Sequence, residues 1–155
     1  MTHLSDPAEL PVLVIEDSEI DFDTVLEAMR KSTIKNKIVH AVDADEAMRL
    51  LLPLTDASKF SFILLDHNLP GMSGCDFLRE LRTMPRFRSI PVILYTTSSN
   101  PRDRDACYNA GANAYHVKSV RFDECLQILG DVFDYWLKRV ALPAPGDFKC
   151  LGAER

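Results

Sequence analysis

The sequence predicts an α/β protein: a (βα)5 unit in which helices cover both faces of a doubly wound parallel sheet. Three observations carry this. Five apolar runs of strand length alternate with stretches of helical period, three of those runs are apolar almost without a break, and the helical stretches are bounded by cap and stop residues.

The first run is "VLVI" (12–15), followed at once by "EDS". The second, "IVHAV" (38–42), leads into Asp43 and Glu46, spaced as a capping box before "AMRLLL", with Pro53 ending that helix. The third, "FILL" (62–65), runs into Asp66 and then Pro70, Gly71 and Gly74, which form a turn. After the fourth, "PVILY" (91–95), Asn100 and Pro101 stand at the N-cap and first-turn positions and Gly111 at the C-terminal stop. The fifth is "AYHV" (114–117). A last helix over about 122–140 places Phe122, Leu126, Leu129, Phe133, Trp136 and Leu137 at spacings of three or four, one broad apolar face.

At 155 residues the chain fits one domain, expected over 10–140, with an N-terminal extension (1–9) and a C-terminal tail or dimerisation arm (141–155). A net charge of -5 with interspersed signs disfavours binding to a nucleic-acid backbone. The N-terminus has no basic and apolar leader pattern, and no apolar run is of membrane-spanning length, so a soluble cytoplasmic protein is expected. Cys75, Cys107, Cys125 and Cys150 show no CxxC pairing and no histidine at ligand spacing; they read as buried or idle thiols.

Ligands of such sheets bind beyond the carboxyl ends of the strands. There strand one delivers Glu16 and Asp17, strand three Asp66, strand four Thr96 and Thr97, and strand five Lys118. Gathered carboxylates repel, by about 4 kcal/mol per pair at 4 Å and an effective dielectric of 20. A raised pKa on one acid or a bound cation would relieve this, and an oxygen-only cluster of this kind suits Mg2+. With that charge neutralised Asp66 is a nucleophile toward a phosphoryl group, Lys118 a second positive charge and Thr96 a hydrogen-bond donor to its oxygens.

The set "EDS", "LLDHNLPGMSG", "PVILYTTS" and "AGANAYHVKS" resembles the response-regulator receiver domain of two-component signalling, over roughly residues 10 to 140. The resemblance implies a flavodoxin-like strand order 2-1-3-4-5. It also implies Asp66 as phospho-acceptor, and Mg2+ held by Glu16, Asp17, Asp66 and the Asn68 backbone carbonyl. Thr96 becomes the switch hydroxyl, Tyr115 the switch aromatic and Lys118 the phosphate-contacting lysine. A sensor histidine kinase is then the partner, with output through altered protein contacts, since the residues after the last helix are too few for an output domain. Ser119 departs from the family, which has proline after the lysine, and leaves the geometry of that loop open.

Lys118-Ser119, the threonine pair and "YWLKRVALP" resemble single-domain regulators paired with phytochromes, which implies a homodimer and gives Trp136, Leu137, Val140 and Leu142 a partner surface. Trp136 reads equally as a core aromatic, and His67 and His116 as residues without a catalytic role. Two alternatives stand beside this: a receiver-like scaffold that is not phosphorylated, and a Mg2+-dependent aspartyl-phosphate phosphatase. The intact acceptor set argues against the first; "EDSEID" in place of DxD, and no second domain, against the second.

Overall fold

The computed structural model describes residues 6–55 and 59–143. Strands β1 (Val12–Ile15), β2 (Ile38–Ala41), β3 (Ile63–Leu65), β4 (Val92–Thr96) and β5 (Ala114–Val117) form one parallel sheet in the order β2-β1-β3-β4-β5, as expected. Helices α1 (Glu19–Lys31), α2 (Ala44–Leu51), α3 (Gly74–Thr83), α4 (Pro101–Ala110) and α5 (Phe122–Asp134) connect and flank them. The register sets Ile15 beside Ala41 and Leu65, and Leu65 beside Leu94, so β1, β2 and β3 end level and β4 runs two residues further, to Thr96.

Successive residues of a strand face opposite sides, and the core divides accordingly. Leu13, Ile15, Ile63, Leu65, Val92 and Leu94 pack on one face with side chains from α2, α3 and α4. Val12, Val14, Phe62, Leu64, Ile93 and Tyr95 pack on the other with Val25, Ala28 and Met29 of α1 and Leu129, Val132 and Phe133 of α5. The central strands are buried throughout, whereas β2 and β5 are the half-exposed edges.

The caps fall where the sequence puts them. The Glu46 N–H donates to Asp43 Oδ1 (2.8 Å) and the Arg102 N–H to Asn100 Oδ1 (3.0 Å), while Gly111 ends α4 at φ 111°. A residue with a Cβ is strained at that φ, so glycine is required there.

The last helix departs from a single α period. It is α-helical to Asp134 and then makes one π turn, Tyr135–Arg139, closed by the Val140 N–H on the Tyr135 carbonyl (2.9 Å). Within this turn Leu137 is buried in the core and Trp136 lies half-buried beside the Phe62 ring, centroids 6.4 Å apart. Phe122 is corrected: it opens α5 and is 58% exposed, off the apolar face assigned to it.

Two of the four thiols are also corrected. Cys75 on α3 and Cys107 on α4 form a disulfide, with Cα atoms 5.0 Å apart. Their separation of 32 residues carries no pairing signal; the packing of α3 beside α4 makes the pair. Cys125 is free and buried, and Cys150 lies outside the described residues. So does most of the expected tail, beyond residue 143, and the first part of the N-terminal extension.

Candidate functional site

At the carboxyl edge of the sheet, β1 runs into Glu16 and Asp17, β3 into Asp66 and β5 into Lys118. Glu16 is 3% exposed and Asp66 6%, although both are carboxylates. Asp17 is exposed. Carboxylate oxygens of Glu16, Asp17 and Asp66 all lie within 4.8 Å of one another. Lys118, directly after the edge strand β5, reaches into this cluster: its Nζ lies 2.7 Å from Glu16 Oε2 and 3.1 Å from Asp66 Oδ2. Its side chain is buried, with the ammonium 5.3 Å from the Tyr95 ring centroid.

The electrostatics follow from that crowding. Burial, reinforced by the charge on Asp66, pushes the Glu16 carboxyl up to about 7 against the pull of Lys118. Burial pulls Lys118 down, but its bonds to Asp21 and Glu16 outweigh that and hold it above the ordinary lysine value. One ammonium therefore serves three acids and leaves a net negative pocket. The donor set is hard oxygen, and exposed Asp17 leaves an open side for water, so these residues fit a small divalent cation such as Mg2+.

Asp21 is a site residue that the sequence reading missed. Its Oδ2 accepts from Lys118 Nζ at 2.8 Å. Ser18 caps α1 and accepts from the Asp21 N–H (3.3 Å), which fixes Asp21 in the first turn, facing back to the strand ends. The available signal was a carboxylate four residues after Asp17 in a helix's first turn.

The other predicted residues surround Asp66. The Asn68 N–H donates to Asp66 Oδ1 (3.1 Å), and its side-chain amide donates to Thr96 Oγ1 (3.4 Å) and Thr97 Oγ1 (3.2 Å). Thr96 is fully buried, its hydroxyl oxygen also accepting from the Ser98 N–H (3.3 Å). The Tyr115 hydroxyl donates to the Ser98 carbonyl at 2.8 Å, tying β5 to the loop after β4. Ser119 does not displace Lys118: its hydroxyl bonds Glu124 and accepts from the Arg121 N–H, and every peptide bond among the described residues is trans. Gly74 passes so close behind the acceptor that a Cβ there would run into the Asp66 carbonyl and His67 Cα. His67 Nε2 in turn lies 3.6 Å from Asp103 Oδ1 on α4.

Of the residues assigned to a partner surface, Trp136 is half-buried and Leu137 faces the core, while Val140 and Leu142 are partly exposed. No helix among the described residues is long and apolar enough to cross a membrane.

Comparison with known proteins gives consistent matches. The family description "Response regulator receiver domain" matches residues 12–130. Response regulator Rcp1 of Synechocystis sp. is 33% identical over 147 residues, 93% of this chain and 99% of the relative. The crystal structure of the phosphorylated cyanobacterial phytochrome response regulator RcpA superposes with a TM-score of 0.81 at 32% identity, covering 88% of this chain and 99% of that one. The Mn2+-bound form of Rcp1 superposes with a TM-score of 0.79 at 33% identity, covering 87% and 99%.

Proposed function

Because the chain belongs to the response-regulator receiver family, we propose that it accepts a phosphoryl group from a sensor histidine kinase onto the Asp66 carboxylate. The observation that carries this reading is the burial of Asp66 beside Lys118 and two further carboxylates at the mouth of the sheet. Glu16, Asp17, Asp66 and the Asn68 carbonyl would hold Mg2+, which when bound supplies positive charge against the phosphoryl oxygens. The existence of a Mn2+-bound form of Rcp1 supports a divalent cation as a ligand of this chain.

In this reading Asp66 attacks phosphorus through a carboxylate oxygen and the kinase histidine leaves with the bonding electron pair. Lys118 turns from its carboxylates toward a phosphoryl oxygen, and Thr96 gives up the Asn68 contact to donate its hydroxyl proton to another. Thr96 and its loop move inward, the Tyr115 hydroxyl loses Ser98, and the surface of α4, β5 and α5 changes. The chain is then a signalling protein whose only turnover is phosphotransfer and autodephosphorylation.

The likeness to RcpA, a phytochrome response regulator, supports a phytochrome-type kinase as the donor; a cytoplasmic location and a homodimer built through α5, β5 and the segment carrying Trp136, Val140 and Leu142 complete the proposal. Incubation with a radiolabelled, autophosphorylated phytochrome-type kinase tests the pairing. Transfer of label to the wild type and not to Asp66→Asn is expected; transfer to both would move the acceptor elsewhere.

A further inference from the structure

The disulfide between Cys75 and Cys107 has no part in phosphoryl chemistry, yet it lies directly behind the acceptor. Cys75 is the second residue of α3 and Cys107 lies in the second half of α4, so the bond staples one helix to the other. The Cys107 sulfur is 3.9 Å from His67 Nδ1, on the residue that follows Asp66. The other ring nitrogen of His67 faces Asp103 of α4, whose Oδ2 accepts from the Ser98 hydroxyl at 2.6 Å. Ser98 is the residue whose carbonyl receives the Tyr115 hydroxyl. One connected set of contacts thus joins the acceptor loop, the staple, the start of α4 and the aromatic on β5.

The attachment of α4 gives the staple its weight. Cys107 is the one residue of α4 that is buried; Ala106, Ala110 and the ion-paired Asp103 are partly buried and the rest are exposed. Small side chains contribute little apolar area, so α4 is lightly fastened to the sheet by packing. A covalent bond from its buried residue to α3 then decides how far it can shift.

We propose that Cys75 and Cys107 form a reversible oxidation site for a small hydroperoxide, and that the disulfide holds α4 in its unphosphorylated position. One thiol sulfur attacks the O–O bond of hydrogen peroxide, releases water and becomes a sulfenic acid; the second thiol displaces that hydroxyl as a second water and closes the S–S bond. Two thiols and one peroxide give one disulfide and two waters, the two electrons passing from sulfur to oxygen. A dithiol reductant reverses the step by exchange and leaves as its own disulfide. Cys75 and Cys107 are 3% exposed or less, so the reaction requires a small oxidant and an opening of the lightly fastened α4. The effect on phosphorylation rests on the acceptor reading of Asp66; the staple itself does not.

The test compares full-length wild type after dithiothreitol and after hydrogen peroxide, with Cys75→Ser and Cys107→Ser alongside. Alkylation after denaturation and peptide mapping should find both thiols free in the first state and joined to each other in the second. Amide hydrogen exchange over residues 97–111 should be slower in the oxidised protein. Steady-state phosphorylation by acetyl phosphate should fall by about fivefold, the low end of ordinary coupling between sites. Neither variant should respond to peroxide. Pairing through Cys125 or Cys150, equal exchange in the two states, or a peroxide response that persists in both variants would overturn the proposal. So would zinc retained stoichiometrically by the reduced protein, since the thiols would then be ligands beside His67. A protein that takes no phosphoryl group in either state sinks the acceptor reading instead, and exchange alone then decides the staple.

Discussion

At the scale of single residues the site is a problem of one cation among several acids. Lys118 contacts Glu16, Asp21 and Asp66, and its removal leaves buried carboxylates with no counter-charge. Breaking a buried pair from one side costs about 3–5 kcal/mol. Lys118→Ala is therefore expected to melt well below wild type, and added Mg2+ is expected to raise its melting temperature more than it raises that of wild type. Equal Mg2+ shifts in thermal melts would show that the ammonium and the metal do not share these acids. Asp21→Asn is the control in the same pocket: its side chain is 36% exposed, so its loss should cost about 1 kcal/mol or less. The acceptor, the acidic pair, the threonine and the lysine were legible because each directly follows an apolar run. Asp21 and the side-chain role of Asn68 were not, because both depend on where a loop or a first helical turn points, which periodicity does not encode.

At the scale of elements, stability concentrates where helices meet the sheet. Phe133 on α5 is fully buried against the Phe62 side of the sheet, and Phe133→Ala should lose about 3–5 kcal/mol by denaturant unfolding. Arg82 clamps the end of α4 from α3, donating to the carbonyls of Gly111, Phe87 and Ile90 and to Asn113 Oδ1. Arg82→Met should cost about 2 kcal/mol or more, since several of those acceptors lose their partner. On β5, burial holds His116 below the usual histidine value, against the attraction of Asp131. Its unfolded form binds the proton more readily, so this contribution to stability is present above pH 6.5 and is lost as pH falls below it toward the folded value. His116→Gln should flatten the melting temperature between pH 7.5 and 5.5; an unchanged slope would assign the pH dependence to other groups. Strand positions and the α2 and α4 caps were readable from local pattern. The π turn was not, because Leu137 and Trp136 fit an α period equally well until the Tyr135–Val140 bond is known.

At the scale of the whole molecule, the parallel sheet gathers residues from β1, β3, β4 and β5 to one edge and stacks α3 and α4 behind it. The topology was legible because alternating strand and helix periods admit few right-handed arrangements. The Cys75–Cys107 bond was not, because a contact between two helices 32 residues apart belongs to the packing alone. Homodimer formation belongs to this scale too: sedimentation should show a dimer that weakens in Trp136→Ala, and monomer at all concentrations with and without phosphorylation would contradict it. The central claim, that this edge exists to place a phosphoryl group on Asp66, is tested most directly by intact mass after incubation with acetyl phosphate, with and without Mg2+, for wild type and Asp66→Asn. One labile adduct that requires both Mg2+ and Asp66 is the predicted result. No adduct on wild type, or the same adduct on Asp66→Asn, would contradict it.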